Sequence, residues 1–533
     1  MPKPKALIIG AGIAGIATAI RLAVRGFAVE VLEANSYPGG KLSEIKLDGF
    51  RFDAGPSLFT MPQYVDELFE LAGEKADASF TWQKLALVCR YFYADGTRLD
   101  AFSDPFFFEE EISRKTKDGP KAIQKYLENS KRIYQVTNHV FLEKSLHRLS
   151  TYLNLQTLKS VLRLPQIDAF RTMHQANDAS FTDKKLVQYA NRFATYNGSN
   201  PYKAPATLNV IPHLEQHFGA YFPDGGMYQI TLSLVALAER LGVKFRYDSP
   251  VEKIVIEKRQ VKGVEVKGGM RGGEGWKGEG WKGEGWKGEG KNGEGWKGEG
   301  WKGERDTEGI EFLAAGVVVS NMDVYFTYQK LLAHHPKLQP KRVLKQERSS
   351  SALIFYWGIK KGFPQLDLHN IFFSENYQQE FEHIWQQKNI CNDPTVYLNI
   401  SSKYEAKDAP EGCENWFTMI NVPANQGQDW DGLIAEAREN IIQKLSKALG
   451  EDISQLIVCE SILDPRSIES KTSSYQGSLY GTGSNSRFAA FLRHSNKSSK
   501  IKNLFFCGGS VHPGGGIPLA LLSAKIVTDW IVG

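Results

Sequence analysis

Three glycines near the start of the chain, in Gly10-Ala-Gly12-Ile-Ala-Gly15, have a spacing that can do chemistry. Free backbone N–H groups at a helix start carry partial positive charge, so this pattern can cradle a phosphate. Gly10 permits a tight turn, and Gly12 lets backbone approach a pyrophosphate where Ile13 and Ala14 open the helix. Gly15 allows that helix to pack closely on its strand. Glu33 follows about twenty residues later, placed to accept hydrogen bonds from a ribose. Its carboxylate would repel a 2′-phosphate, so the expected dinucleotide is FAD or NAD rather than NADP. A second glycine cluster, Gly508-Gly509 and Gly514-Gly-Gly516, precedes an apolar stretch beginning at Ile517. Such a turn lets backbone pass close to a flat ring. A helix starting there can stabilise negative charge on whatever lies against the turn.

The elements that must position these residues are legible around them. Ala6–Ile9 is a short, continuously apolar run, as a parallel strand buried on both faces requires. Ile16–Val24 has apolar residues at helical spacing, and Ala28–Leu32 is a second strand ending at Glu33. Strand, glycine turn, helix, strand and acid thus stand in the order of a dinucleotide-binding unit. No Ser/His/Asp arrangement, metal-ligand spacing or carboxylate pair is found, so no catalytic side chain and no metal is assigned. His512 is read as shaping its turn, and Asp53 as hydrogen-bonding loop backbone.

After the second strand come Pro38-Gly39-Gly40-Lys41 and Phe50-Arg-Phe-Asp-Ala-Gly-Pro-Ser57. Near the other end stands Asn503-Leu-Phe-Phe-Cys-Gly-Gly-Ser-Val-His-Pro-Gly-Gly-Gly-Ile-Pro518. Together with Ala194–Pro201, Tyr221–Met227, Val317–Asn321 and Gly477–Gly481, these resemble the bacterial-type carotenoid desaturases. Those are FAD-dependent enzymes of the amine-oxidase-like superfamily that include phytoene desaturases and hydroxycarotenoid 3,4-desaturases. The resemblance implies an α/β fold. Its parts would be a discontinuous Rossmann-like FAD domain of glutathione-reductase type, a mixed-sheet substrate domain and a helical, membrane-contacting insertion. It implies that Gly39, Gly40 and Lys41 meet the cofactor's phosphates, with Lys41 where arginine is usual, and that Val251 offers backbone to the adenine end. It further implies a C40 polyene desaturated by hydride transfer to flavin N5 and proton loss, with a quinone or oxygen as final acceptor. A carotenoid isomerase using reduced flavin, and a non-enzymatic isoprenoid-binding protein of the Rab escort type, are the alternatives within this fold.

On this reading residues 1–100, 225–325 and 482–533 form the FAD domain, 101–224 the helical insertion and 326–481 the substrate sheet. Residues 268–304 repeat Gly-Glu-Gly-Trp-Lys and hold about a third of the chain's 50 glycines. Such composition cannot offset the ordering entropy of a fold, so a flexible loop is expected. With 533 residues, 42% hydrophobic, the chain can bury several cores. Its 65 basic and 60 acidic residues leave +5, too even to indicate nucleic acid as a partner. Five scattered cysteines suit reduced thiols in the cytoplasm. A carotenoid must be collected from a bilayer, so peripheral association with the inner face of the cell membrane is expected. Leu142–Arg171, with Leu146, Leu149, Leu153, Leu158, Val161 and Leu162 at roughly helical spacing among basic residues, is the expected contact.

Overall fold

The computed structural model describes residues 3–138, 142–148, 151, 163, 167–267, 281–282, 309–486 and 493–533. At its centre lies a five-stranded, all-parallel sheet made from chain segments far apart in sequence. The spatial order is Lys244–Arg246, Ala28–Leu32, Lys5–Ile9, Val317–Ser320 and Leu504–Phe506. Counted along the chain this is 3-2-1-4-5, the doubly wound order in which connections diverge between the first and fourth strands. That switch point opens a crevice at the strands' carboxyl ends. The helices Ile13–Val24, Tyr228–Arg240 and Ile517–Val532 pack on one face, burying Ile16, Ile20, Leu234, Leu237, Leu521 and Ala524. The other face packs against an antiparallel sheet of Val251–Glu257, Gln260–Lys267 and Ile310–Ala314.

A second, mixed sheet of seven strands runs Ile457–Leu463, Ser351–Ile359, Glu414–Val422, Val396–Asn399, His369–Phe372, Leu87–Phe92 and Arg98–Phe102. Of its last two strands Leu87–Phe92 lies within residues 1–100 and Arg98–Phe102 straddles residue 100; both extend this sheet, His369–Phe372 pairing in parallel with Leu87–Phe92. Alternating apolar residues announce a strand, but not the sheet it joins. Within 101–224 the described elements are mainly helical, including Pro105–Lys115, Pro120–Thr137 and Lys184–Asn191.

Two sequence expectations fall largely outside the described residues. Of 268–304 only Trp281–Lys282 is described, as a two-residue strand pairing in parallel with Ile45–Lys46. Of Leu142–Arg171, residues 149–150, 152–162 and 164–166 lie outside, including Leu149, Leu153, Leu158, Val161 and Leu162. The described flanks 142–148 and 167–171 run mostly as turns and bends, with helical turns at Leu142 and Ile167. Leu142, Leu146, Ile167 and Ala169 on those flanks line an internal cavity.

Candidate functional site

That cavity, about 1320 Å³, begins at the sheet's switch point and continues to the seven-stranded sheet. It exceeds the roughly 300–1,000 Å³ typical of a single small-ligand pocket. The residues singled out from sequence are brought together along its first half. Gly10, Gly12, Ile13, Ala14, Glu33, Gly39, Gly40, Lys41, Val251, Gly508, Gly509, Gly516 and Ile517 all line it. Gly15 lies just behind, where a Cβ would collide with the Gly10 carbonyl and crowd Asn321 Oδ1.

Asn321 is the residue that sequence reading left without a role. It follows the fourth strand, donates its backbone N–H to Ile9 O at 2.8 Å, and donates through Nδ2 to Cys507 O at 3.2 Å. A Cβ on Gly12 would sit 2.6 Å from its Oδ1. One side chain thus wedges between the first glycine turn and the last strand. Its only sequence signal is a Ser-Asn ending a buried strand.

The donor set suits a dinucleotide. No side chain caps the N-terminus of Ile13–Val24 and no acidic residue occupies its first turn, so its free N–H groups can meet a pyrophosphate. The helix Ile517–Val532 is likewise uncapped, entered through Gly516 at φ 98°, a left-handed conformation that favours glycine. Glu33 is buried and accepts from Ala11 N at 2.7 Å and from the Asn35 N and Nδ2 groups, each at 2.9 Å. Burial pushes its carboxyl above the usual range while these donors pull it back. The oxygens keep lone pairs for ribose hydroxyls.

Lys41 differs from expectation. Its ammonium donates to Ser478 O at 3.1 Å and Leu479 O at 2.9 Å, so two of its three donors tie the first motif to a distant loop. Burial lowers it to about 8, with Asp323 opposing. Asp53 accepts from Met227 N at 2.9 Å and Tyr228 N at 3.2 Å, holding the start of the helix Tyr228–Arg240. His512 donates through Nε2 to Lys144 O at 2.9 Å. Burial lowers it to about 4, so it stays neutral near pH 7 and orients its turn.

Beyond the glycines the wall becomes apolar side chain, with Ile354, Ile371, Phe417 and Met419 from the seven-stranded sheet facing Leu142, Leu208 and Leu214. Set in it is a polar group that sequence reading missed, Arg192, Tyr196, Glu215 and His369.

Residues 13–272 match the family described as flavin containing amine oxidoreductase. The chain is 47% identical over 527 residues, 99% of both chains, to the 1-hydroxycarotenoid 3,4-desaturase of Flavobacterium sp. (strain P99-3). It is 32% identical to the 4,4'-diapolycopene oxygenase of Methylomonas sp., covering 99% of this chain and 98% of that one. Among solved structures it is similar to putrescine oxidase bound to putrescine, with TM-score 0.61, 14% identity and 100% and 99% of the two chains covered. Cyclohexylamine oxidase from Brevibacterium oxydans IH-35A aligns with TM-score 0.56 at 14% identity, over 100% of both chains.

Proposed function

The chain belongs to the carotenoid desaturases and oxygenases among the flavin-containing amine oxidoreductases, and on that premise we propose that it desaturates a hydroxylated carotenoid. It is an FAD-dependent oxidoreductase. The observation that carries the proposal is one cavity with two kinds of wall, glycine backbone leading into apolar side chains.

Bound FAD supplies the acceptor for a hydride taken from the polyene. The helix starting at Ile13 would hold the pyrophosphate, Glu33 the ribose and Val251 the adenine end. Gly508, Gly509, Gly516 and the N-terminus at Ile517 would face the ring, where free N–H groups favour the charge it gains. The apolar side chains align the polyene and exclude water. Proton loss from a carbon beside a conjugated cation needs little base strength, which suits a site where His512, beside the second glycine cluster, is neutral with its Nε2 proton held by Lys144 O. Electrons would leave to a quinone or to oxygen.

The substrate would enter from a bilayer, with the protein sitting peripherally on the inner face of the cell membrane. Exposed Phe106 and Phe107, at the start of the helix Pro105–Lys115, support that contact. Among the described residues no helix is long and apolar enough to cross a membrane.

The test offers flavin-loaded protein a liposome-borne 1-hydroxycarotenoid and, separately, phytoene. The expected product absorbs at longer wavelength and forms faster from the hydroxylated substrate. A flavin that stays oxidised under anaerobic conditions with either carotenoid overturns the assignment.

A further inference from the structure

The polar group in the apolar half of the cavity has a cost that packing does not explain. Arg192 and Glu215, both about 95% buried or more, pair at 2.8 Å. Tyr196 Oη donates to Glu215 Oε2 at 2.5 Å and accepts from Arg192 Nη1 at 2.9 Å. The guanidinium carbon lies 4.2 Å from the Phe193 ring centroid and 5.0 Å from that of Tyr91. Removing such a pair from water costs several kcal/mol per ion, and apolar residues of similar volume often serve stability as well.

Two donors here have no protein partner. Arg192 Nε and His369 Nε2 are both buried and unpaired. The His369 tautomer follows from its neighbours. Asn399 Nδ2 donates to Nδ1 at 3.2 Å and Tyr397 Oη lies 2.8 Å from the same nitrogen, so the ring proton sits on Nε2. Buried donors are rarely left unsatisfied, and these two belong to side chains that line one cavity; with under 1 Å² of each atom accessible, a polar atom on the occupant meets them as the side chains turn toward it. Neutral and cationic donors beside a carboxylate with spare lone pairs match a group that both accepts and donates. A hydroxyl does both.

The same group is linked to the ring end of the cavity. Arg192 begins a 3-10 turn that ends at Asn197. Asn197 Oδ1 accepts from Arg493 Nη2 at 3.2 Å, and Arg493 Nη1 donates to Gly509 O at 3.2 Å. A hydroxyl held at Arg192 would therefore be held in register with the glycines that face the ring. The 47%-identical relative is named for a hydroxyl on carbon 1 and desaturation between carbons 3 and 4, with carbon 2 alone between them.

We propose that Arg192, Glu215 and His369 form a subsite that grips the terminal hydroxyl of the carotenoid and sets which carbon–carbon bond reaches the flavin. This rests on the carotenoid reading above, so its test is read by binding and not by turnover.

Tryptophan-fluorescence quenching of the flavin-loaded protein in detergent micelles would compare a 1-hydroxycarotenoid with the same polyene lacking the hydroxyl. The wild type is expected to bind the hydroxylated form about ten- to hundredfold more tightly. The double substitution Arg192→Met with Glu215→Gln should bring the two affinities within about threefold, leaving the hydrocarbon's unchanged. His369→Phe should lose about tenfold of the preference, and His369→Gln, which keeps a donor, should restore most of it. Should the double variant fail to retain FAD, the two His369 variants decide alone. Equal wild-type affinity for both polyenes, or an unchanged preference in the folded variants, overturns the subsite. Selective binding without desaturation leaves the subsite standing and overturns the reaction instead.

Discussion

At the nucleotide end of the cavity the wall is main chain, supplied by Gly10, Gly12, Gly39, Gly40, Gly508 and Gly509. At the opposite end it is side chain, supplied by Ile354, Ile371, Phe417 and Leu214 around Arg192 and His369. Backbone walls leave little room for change: a Cβ would collide at Gly12, Gly39 and Gly508, and Gly10 and Gly40 hold a positive φ that other residues rarely adopt. Side-chain walls tolerate exchange of shape and volume, and substrate preference can vary there without loss of the cofactor. The difference teaches where selectivity is written in this molecule.

The largest expected effect comes from closing the backbone end. Gly15→Ala should cost at least about 3 kcal/mol, because the new methyl meets the Gly10 carbonyl and cannot rotate away. Flavin-to-protein ratio after purification checks this, and wild-type FAD content would remove the contrast between the two ends. Next, Glu33→Gln should weaken FAD binding about tenfold, or about 1.4 kcal/mol, measured by titrating the apoprotein. The effect should be confined to the cofactor and leave carotenoid affinity alone.

Acid should act on both ends through buried histidines. Burial lowers His369 to about 3 and His494 and His512 to about 4, all from an ordinary value of 6.5. Between pH 6.5 and those values the unfolded chain binds protons that the native chain does not, so stability rises with pH across this window. It is fully present above 6.5 and is lost as pH falls. Each group should contribute about 1–2 kcal/mol of loss by pH 5. Chemical denaturation at pH 7 and pH 5 measures it, and His494→Gln should flatten part of the slope. The smallest effect should come from Ile371→Val, about 1 kcal/mol of stability with unchanged flavin affinity. A shift in FAD Kd there would mean that the two ends are not separable.

The same contrast explains what could be read in advance. The first glycine turn, its helix and Glu33 occupy one contiguous stretch, and their chemistry depends on local spacing. Ile517 and Gly516 were legible for the same reason. Arg192, Glu215 and His369 meet only through tertiary packing, 23 residues separating the first two. Nothing in their local sequence marks a buried ion pair. Asn321 stood at the end of a recognisable strand, yet its work of joining Gly12 to Cys507 depends on a strand order that periodicity does not encode. Lys41 was placed by its motif, but its two carbonyl partners lie in a loop more than 430 residues later.

That the sheet closes with Leu504–Phe506 and the helix Ile517–Val532 has a consequence for biosynthesis. The glycines proposed to face the ring, Gly508, Gly509 and Gly516, leave the ribosome after the rest of the cradle. Until then the nucleotide-binding unit lacks its fifth strand and the apolar face that Leu521 and Ala524 cover. The complete cradle therefore forms only once Ile517–Val532 has emerged. A frameshift just before codon 504 would keep the four earlier strands of the sheet and lose the glycines proposed to face the ring.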